Sequence, residues 1–173
     1  MFSKVYGLLN KIIYKIKYGA TVSFDGIPSF VSHMQIYTFN GEFRAGKNFS
    51  IKQGVYIAAV KNGKIAIGDN VSINRNCLLV CHNAISISDN CAIGPNTVFY
   101  DHDHNFGENG IESGYKTSPI IIERNCWIGA GCTILRGAHI GECSVIGAGT
   151  VIKGKIPPNS LVITKRKLEI IPL

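Results

Sequence analysis

The sequence predicts an all-β chain, a left-handed parallel β-helix of about five to six triangular coils behind an N-terminal amphipathic helix. Three observations carry this. First, from Ile122 every sixth residue is Ile: Ile122, Ile128, Ile134, Ile140, Ile146 and Ile152. Second, the residue four places after each is mostly small: Cys126, Cys132, Ala138, Ser144 and Thr150, with Ile156 the exception. Third, the hexads group in threes, and the departures from an 18-residue coil fall after the third hexad. Self-similarity at a fixed period marks a repeat architecture.

Residues 1–20 form the predicted helix. Phe2, Val5, Leu8, Leu9, Ile12, Ile13 and Ile16 recur at helical spacing with lysines between them. Such a stripe packs on the β-helix body or a neighbouring subunit, or it meets a membrane surface. The β-helix occupies 21–158. Residues 20–44 read as a transitional, irregular coil. Regular coils start at Ala45, Ile67, Ile87, Ile122 and Ile140, and the spacings leave insertions of 4, 2, 17 and 0 residues. All fall at one edge of the prism, with the long one forming a loop at about 100–118. Each hexad gives a short strand that pairs with the coils above and below, about 4.8 Å away, and stacking is needed to bury the inner face. Pro157-Pro158-Asn159 is expected to end the repeat, leaving a 159–173 tail as a short strand or helix.

Composition narrows the class. Apolar residues make up 46%, Gly numbers 19 and Trp 1, which suits many short strands and tight corners. The net charge of +7 gathers in Lys4, Lys11, Lys15 and Lys17 and in Lys153, Lys155, Lys165, Arg166 and Lys167. The repeats between carry no basic-aromatic interleaving, so no nucleic-acid partner is expected. No CxxC pair occurs among the six cysteines. Cys77, Cys91, Cys126 and Cys132 hold the small slot, which makes them core residues. No secretory signal or membrane-spanning stretch is read, so a cytoplasmic chain is expected.

The long insertion concentrates the chemistry: Asp101-His102-Asp103-His104. Functional groups favour loops on rigid scaffolds. A neutral His can accept a proton from a hydroxyl near neutral pH, and a neighbouring Asp can fix its tautomer. The same four residues could bind zinc or form a solvated turn. His82 and His102 sit three residues after Leu79 and Phe99, so they should stack about 5 Å apart. His33 and His139 carry structural readings only.

Over roughly 45–160, these hexads resemble the hexapeptide-repeat acetyltransferases, especially the maltose and galactoside O-acetyltransferases and the surface-polysaccharide O-acetyltransferases. The segment NCWIGAGCTILRGAHIGECSVIGAGTVI, the IPPN turn and a His in the one long loop carry the likeness. The resemblance implies a homotrimer with sites between subunits, acetyl-CoA as co-substrate, no metal, and a sugar or glycan acceptor in polysaccharide assembly. It assigns the general base to His104, with His102, Asp101 and Asp103 beside it, and places Asn74 and His82 on the acceptor side, though an acidic residue is expected at the latter. For acetyl-CoA it points to Ala130, Ala148, Lys153 and Trp127. Basic Lys165, Arg166 and Lys167 are candidates for the CoA phosphates, although the tail departs from the family motif. Two rivals use the same scaffold: a trimeric zinc hydrolyase resembling the gamma carbonic anhydrases, and a β-helix that only assembles.

Overall fold

The computed structural model describes residues 2–30, 34–165 and 171, with the side chains of Phe2 and Ser3 left aside. Short strands wind into a β-solenoid with three flat faces, each a parallel sheet. The first and second faces hold seven strands and the third holds six. A separate antiparallel hairpin projects from the body.

The six-residue period becomes three inward columns. Phe24, Ala45, Ile67, Ile87, Ile122, Ile140 and Ile156 pair in register on the first face. Phe30, Ile51, Ile73, Ile93, Ile128, Ile146 and Val162 do so on the second. Ile36, Ile57, Leu79, Phe99, Ile134 and Ile152 form the third. Nearly all are fully buried, and each such side chain contributes about 1.5–3 kcal/mol relative to exposure.

The structure departs from the sequence pattern at both ends of the solenoid. The stretch read as an irregular coil is regular at its core: Phe24, Phe30 and Ile36 keep the six-residue step and pair in register with the next coil. Aromatic side chains in place of Ile hid the repeat. Phe24, Phe30, Phe43 and Phe49 pack edge-on or tilted within 6.5 Å of one another and fill this end of the core. At the other end the Pro-Pro-Asn turn does not end the winding. Leu161–Val162 pairs with Val145–Ile146, adding a strand beyond the turn.

The corners need left-handed backbone, which costs an L-residue other than Gly or Asn about 1–2 kcal/mol. Between the first and second faces the column is Asn48, Asn70, Asn90, Asn125, Cys143 and Asn159, all with φ of 54–59°. Between the second and third faces it is Gly54, Asn76, Asn96, Gly131 and Gly149. The cysteines at 77, 91, 126 and 132 are buried as expected, while Cys143 is exposed.

The helix α1 (Phe2–Tyr18) covers the first coil. Its apolar stripe does not pack on the body: Val5, Leu8, Leu9, Ile12, Ile13 and Ile16 are all exposed. The opposite side docks instead. Tyr14 is buried and its hydroxyl accepts a hydrogen bond from the Ile36 N–H at 3.2 Å. Gly7 is buried so tightly against the backbone of Pro28 that an added Cβ would lie 1.8 Å from the Pro28 carbonyl oxygen.

Candidate functional site

All the length variation of the coils falls between the third and first faces, where the connections are 40–41, 61–63, 82–83, 136–138, 153–154 and, longest of all, 101–119. The longest is not an irregular loop. His102–Gly107 and Gly110–Thr117 form a hairpin, with Glu108-Asn109 at its tip. A β-bulge between His104 and Asn105 shifts its register. The Asn109-Gly110 pair is a hairpin signal that the sequence carries.

At the base of the hairpin, Asp101 is fully buried. The backbone N–H groups of His82 and Asn83 donate to its carboxylate at 2.7–3.1 Å. The Cys81 thiol donates to it at 3.2 Å. Burial and the adjacent carboxylate push that thiol's pKa up, so Cys81 is a donor rather than a nucleophile. His102 Nδ1 lies 3.0 Å from Asp101 Oδ1. Because a carboxylate only accepts, Nδ1 carries the hydrogen and Nε2 of the neutral ring keeps its lone pair.

His82 and His102 stack, as the register predicts, but more closely than the strands: their rings are parallel within 2° and 3.6 Å apart. His82 Nδ1 is buried without a hydrogen-bond partner. Burial, followed by repulsion from His102, lowers the His82 pKa. Tyr115 stands edge-on to His82 at 4.5 Å and to His102 at 5.3 Å. It also leans on His104 at 4.8 Å, and Lys61 Nζ lies 4.1 Å from its ring centre.

His104 is exposed, and among the described residues no carboxylate contacts it. Asp103 turns the other way, to Arg136, with Lys153 Nζ at 3.9 Å. The Arg136 hydrogen bond holds its carboxyl below the usual range. The sequence's Asp–His partnership therefore forms between Asp101 and His102, not at His104. Tyr115, Cys81, Lys61 and Arg136 join the cluster unread from sequence. Arg136 follows Leu135 on the third face and so reaches the His82 corner, a placement visible in the coil register.

The remaining candidates lie elsewhere on the protomer. Asn74 is at the corner between the second and third faces, where its side-chain carbonyl accepts from the Arg75 N–H at 2.8 Å. Ala130 and Ala148 are exposed at the same corner, one coil apart, tied by a Gly149 N–H to Ala130 carbonyl bond of 2.8 Å. The coils approach closely there: a Cβ on Gly129 would meet the Ala148 nitrogen at 2.6 Å. Trp127 is exposed on the second face. Lys165 is exposed, while Arg166, Lys167 and His33 lie outside the described residues. His139 points outward from the first face onto Glu123 at 2.8 Å.

Among the described residues, no group of three His, Cys, Asp or Glu is placed to hold a metal ion. Within one protomer, the parallel His82 and His102 rings direct their lone pairs into separate planes, not onto one ion about 2 Å from each.

Comparison with known proteins agrees with the solenoid. The bacterial transferase hexapeptide family (six repeats) matches residues 119–154. The chain is 36% identical over 115 residues to the galactoside O-acetyltransferase of Escherichia coli, covering 66% of this chain and 56% of that protein. It is 27% identical over 133 residues to WbbJ of the same organism, a candidate lipopolysaccharide biosynthesis O-acetyl transferase, covering 71% and 68%. The chain spans about half the length of the first relatives it matches. A hexapeptide-repeat acetyltransferase of Vibrio cholerae complexed with acetyl coenzyme A superposes with a TM-score of 0.54 at 27% identity, over 80% of this chain and 65% of that one. AntD, an N-acyltransferase of Bacillus cereus in complex with dTDP and 3-hydroxybutyryl-CoA, shares the fold at a TM-score of 0.72 and 21% identity, over 87% and 81%.

Proposed function

We propose that the chain is a hexapeptide-repeat transferase, an acetyl-CoA-dependent O-acetyltransferase acting on a sugar hydroxyl in the assembly of a surface polysaccharide such as a capsule, exopolysaccharide or O-antigen. The observation that carries this reading is the gathering of His82, His102, His104 and Asp101 at the one corner where the solenoid varies in length. The relatives named as O-acetyltransferases support the reaction class and the oxygen acceptor. Acetyl-CoA as donor puts the reaction in the cytoplasm.

In this reading His104 takes the proton of the acceptor hydroxyl as its oxygen attacks the thioester carbonyl. A backbone N–H holds the tetrahedral oxyanion. Collapse breaks the carbon–sulfur bond, and the imidazolium returns the proton to the departing CoA thiolate. No acyl-enzyme forms, and no metal takes part. Asp101 fixes His102 and ties down the base of the hairpin, while His82, with Asn74, meets the acceptor.

The candidates fall at two different corners of one protomer, with the third face between them. That face is apolar on its outside: Leu78, Val80, Val98, Tyr100, Leu135 and Val151 point outward. A homotrimer that buries it would bring the histidine corner of one subunit to the Asn74, Ala130 and Ala148 corner of the next. The pantetheine arm of acetyl-CoA would then run past the two alanines, with Trp127 nearby and Lys153, Lys165, Arg166 and Lys167 available to its phosphates.

A specific observation favours one variant of the mechanism. His102, not His104, has the carboxylate-fixed tautomer, so His102 Nε2 is the second candidate base. Calorimetric titration with acetyl-CoA tests the donor, and saturable binding near one per subunit is expected. Turnover of His104→Ala and His102→Ala on a sugar acceptor that the wild type acetylates then assigns the base. Loss of the base should cost about 10²–10⁴-fold. A well-folded protein that does not bind acetyl-CoA would end this reading.

A further inference from the structure

Helix α1 is mounted with its apolar side facing away from the protein. The mounting is specific: Gly7 lies against Pro28, Tyr14 receives the Ile36 N–H, and Lys11 Nζ donates to the Gly26 carbonyl at 2.9 Å. At 100° per residue these three positions share one side of the helix. Leu8, Leu9, Ile12, Ile13 and Ile16 share the other, and all five are exposed, Ile16 at 80%. Solvent alone does not favour such an arrangement, since contiguous apolar surface of this kind marks an interaction site.

We propose that this outward face of α1 docks the protein onto an anionic lipid bilayer. Charge identifies the occupant. The helix contains no acidic residue. Lys4 and Lys15 border one edge of the apolar stripe and Lys17 the other, on long stems whose ammonium groups can reach headgroup phosphates while the stripe sinks below them. A second copy of the same helix would set like charges against like along both edges. A bilayer with anionic headgroups meets both the stripe and its rims. The helix lies on the surface and does not cross: among the described residues no helix is long and apolar enough to span. The solenoid then stands on the membrane by its first coil.

Flotation of the full chain with vesicles tests it, using phosphatidylglycerol mixed into phosphatidylcholine and phosphatidylcholine alone. The wild type should float with the anionic vesicles at least about tenfold more than with the neutral ones, and added salt should weaken the binding. Leu9→Glu/Ile13→Glu should reduce the floated fraction about tenfold or more, with circular dichroism unchanged because both side chains are already exposed. Lys15→Glu/Lys17→Glu should lose binding on anionic vesicles by a similar factor. Wild type left at the bottom with both vesicle types would overturn the proposal. So would a Leu9→Glu/Ile13→Glu variant that floats like the wild type. A drop in oligomer mass for that variant, with no flotation of the wild type, would give the face to a second copy instead.

Discussion

Two corners of the same prism differ in kind. The corner between the first and second faces keeps one length throughout and, from the second coil on, one conformation, with an Asn or its stand-in left-handed at each coil. Its side chains bond to each other along the stack, Asn48 to Asn70 at 2.9 Å and Asn70 to Asn90 at 3.1 Å. The corner between the third and first faces changes length from coil to coil and collects Lys61, His82, the Asp101 hairpin and Arg136. Uniform stacking leaves each residue answering to its copies above and below. Where the length varies, side chains are released from that constraint and can be arranged for chemistry.

Substitutions can sharpen or break this contrast. The largest effect belongs to the variable corner. Whichever of His104→Ala and His102→Ala removes the base should cost the 10²–10⁴-fold in turnover given above while leaving the melting temperature nearly unchanged for exposed His104. Equal losses of activity and stability would make the corner structural like its neighbour. Next is the core that serves both corners. Leu79 is fully buried on the third face, and Leu79→Ala should destabilise by about 2–5 kcal/mol in denaturant unfolding. At the uniform corner, Asn70→Ala should cost about 1–2 kcal/mol, from its left-handed backbone and lost side-chain bonds, with no change in turnover.

The smallest effect is a pH dependence. Unfolded, His82 titrates near its ordinary 6.5, and in the fold its pKa is lower, chiefly through burial and then through His102. Lys61 and His104 add to the lowering and Asp101 opposes it. The unfolded chain therefore binds the extra proton first. Stability should fall as pH drops below 6.5 and level off beneath the folded value. His82→Gln should flatten that part of the profile in urea midpoints measured between about pH 7.5 and pH 5.5. An unchanged slope would mean that another group titrates there.

The hexad was legible because its physics is local and repetitive: one aliphatic residue every six, a small neighbour, and insertions confined to one edge. It failed where other residues served the same geometry, as with Phe24, Phe30 and Phe49 in the first coils. The His82–His102 stack could be read because both positions follow from counting along coils. The partner of each His could not. Asp101, Asp103, His102 and His104 alternate identically in sequence, and only the turn of the backbone into the hairpin sends Asp101 inward to His102 and Asp103 outward to Arg136.

The helix gives the same lesson on a larger scale. Its sequence determined that α1 is amphipathic and basic, since periodicity alone sets where the side chains fall around the axis. Only the tertiary structure decided which side meets the body. The apolar stripe is wider and more hydrophobic, but close approach to the Pro28 backbone requires the one position without a Cβ, Gly7, and that contact turns the stripe outward.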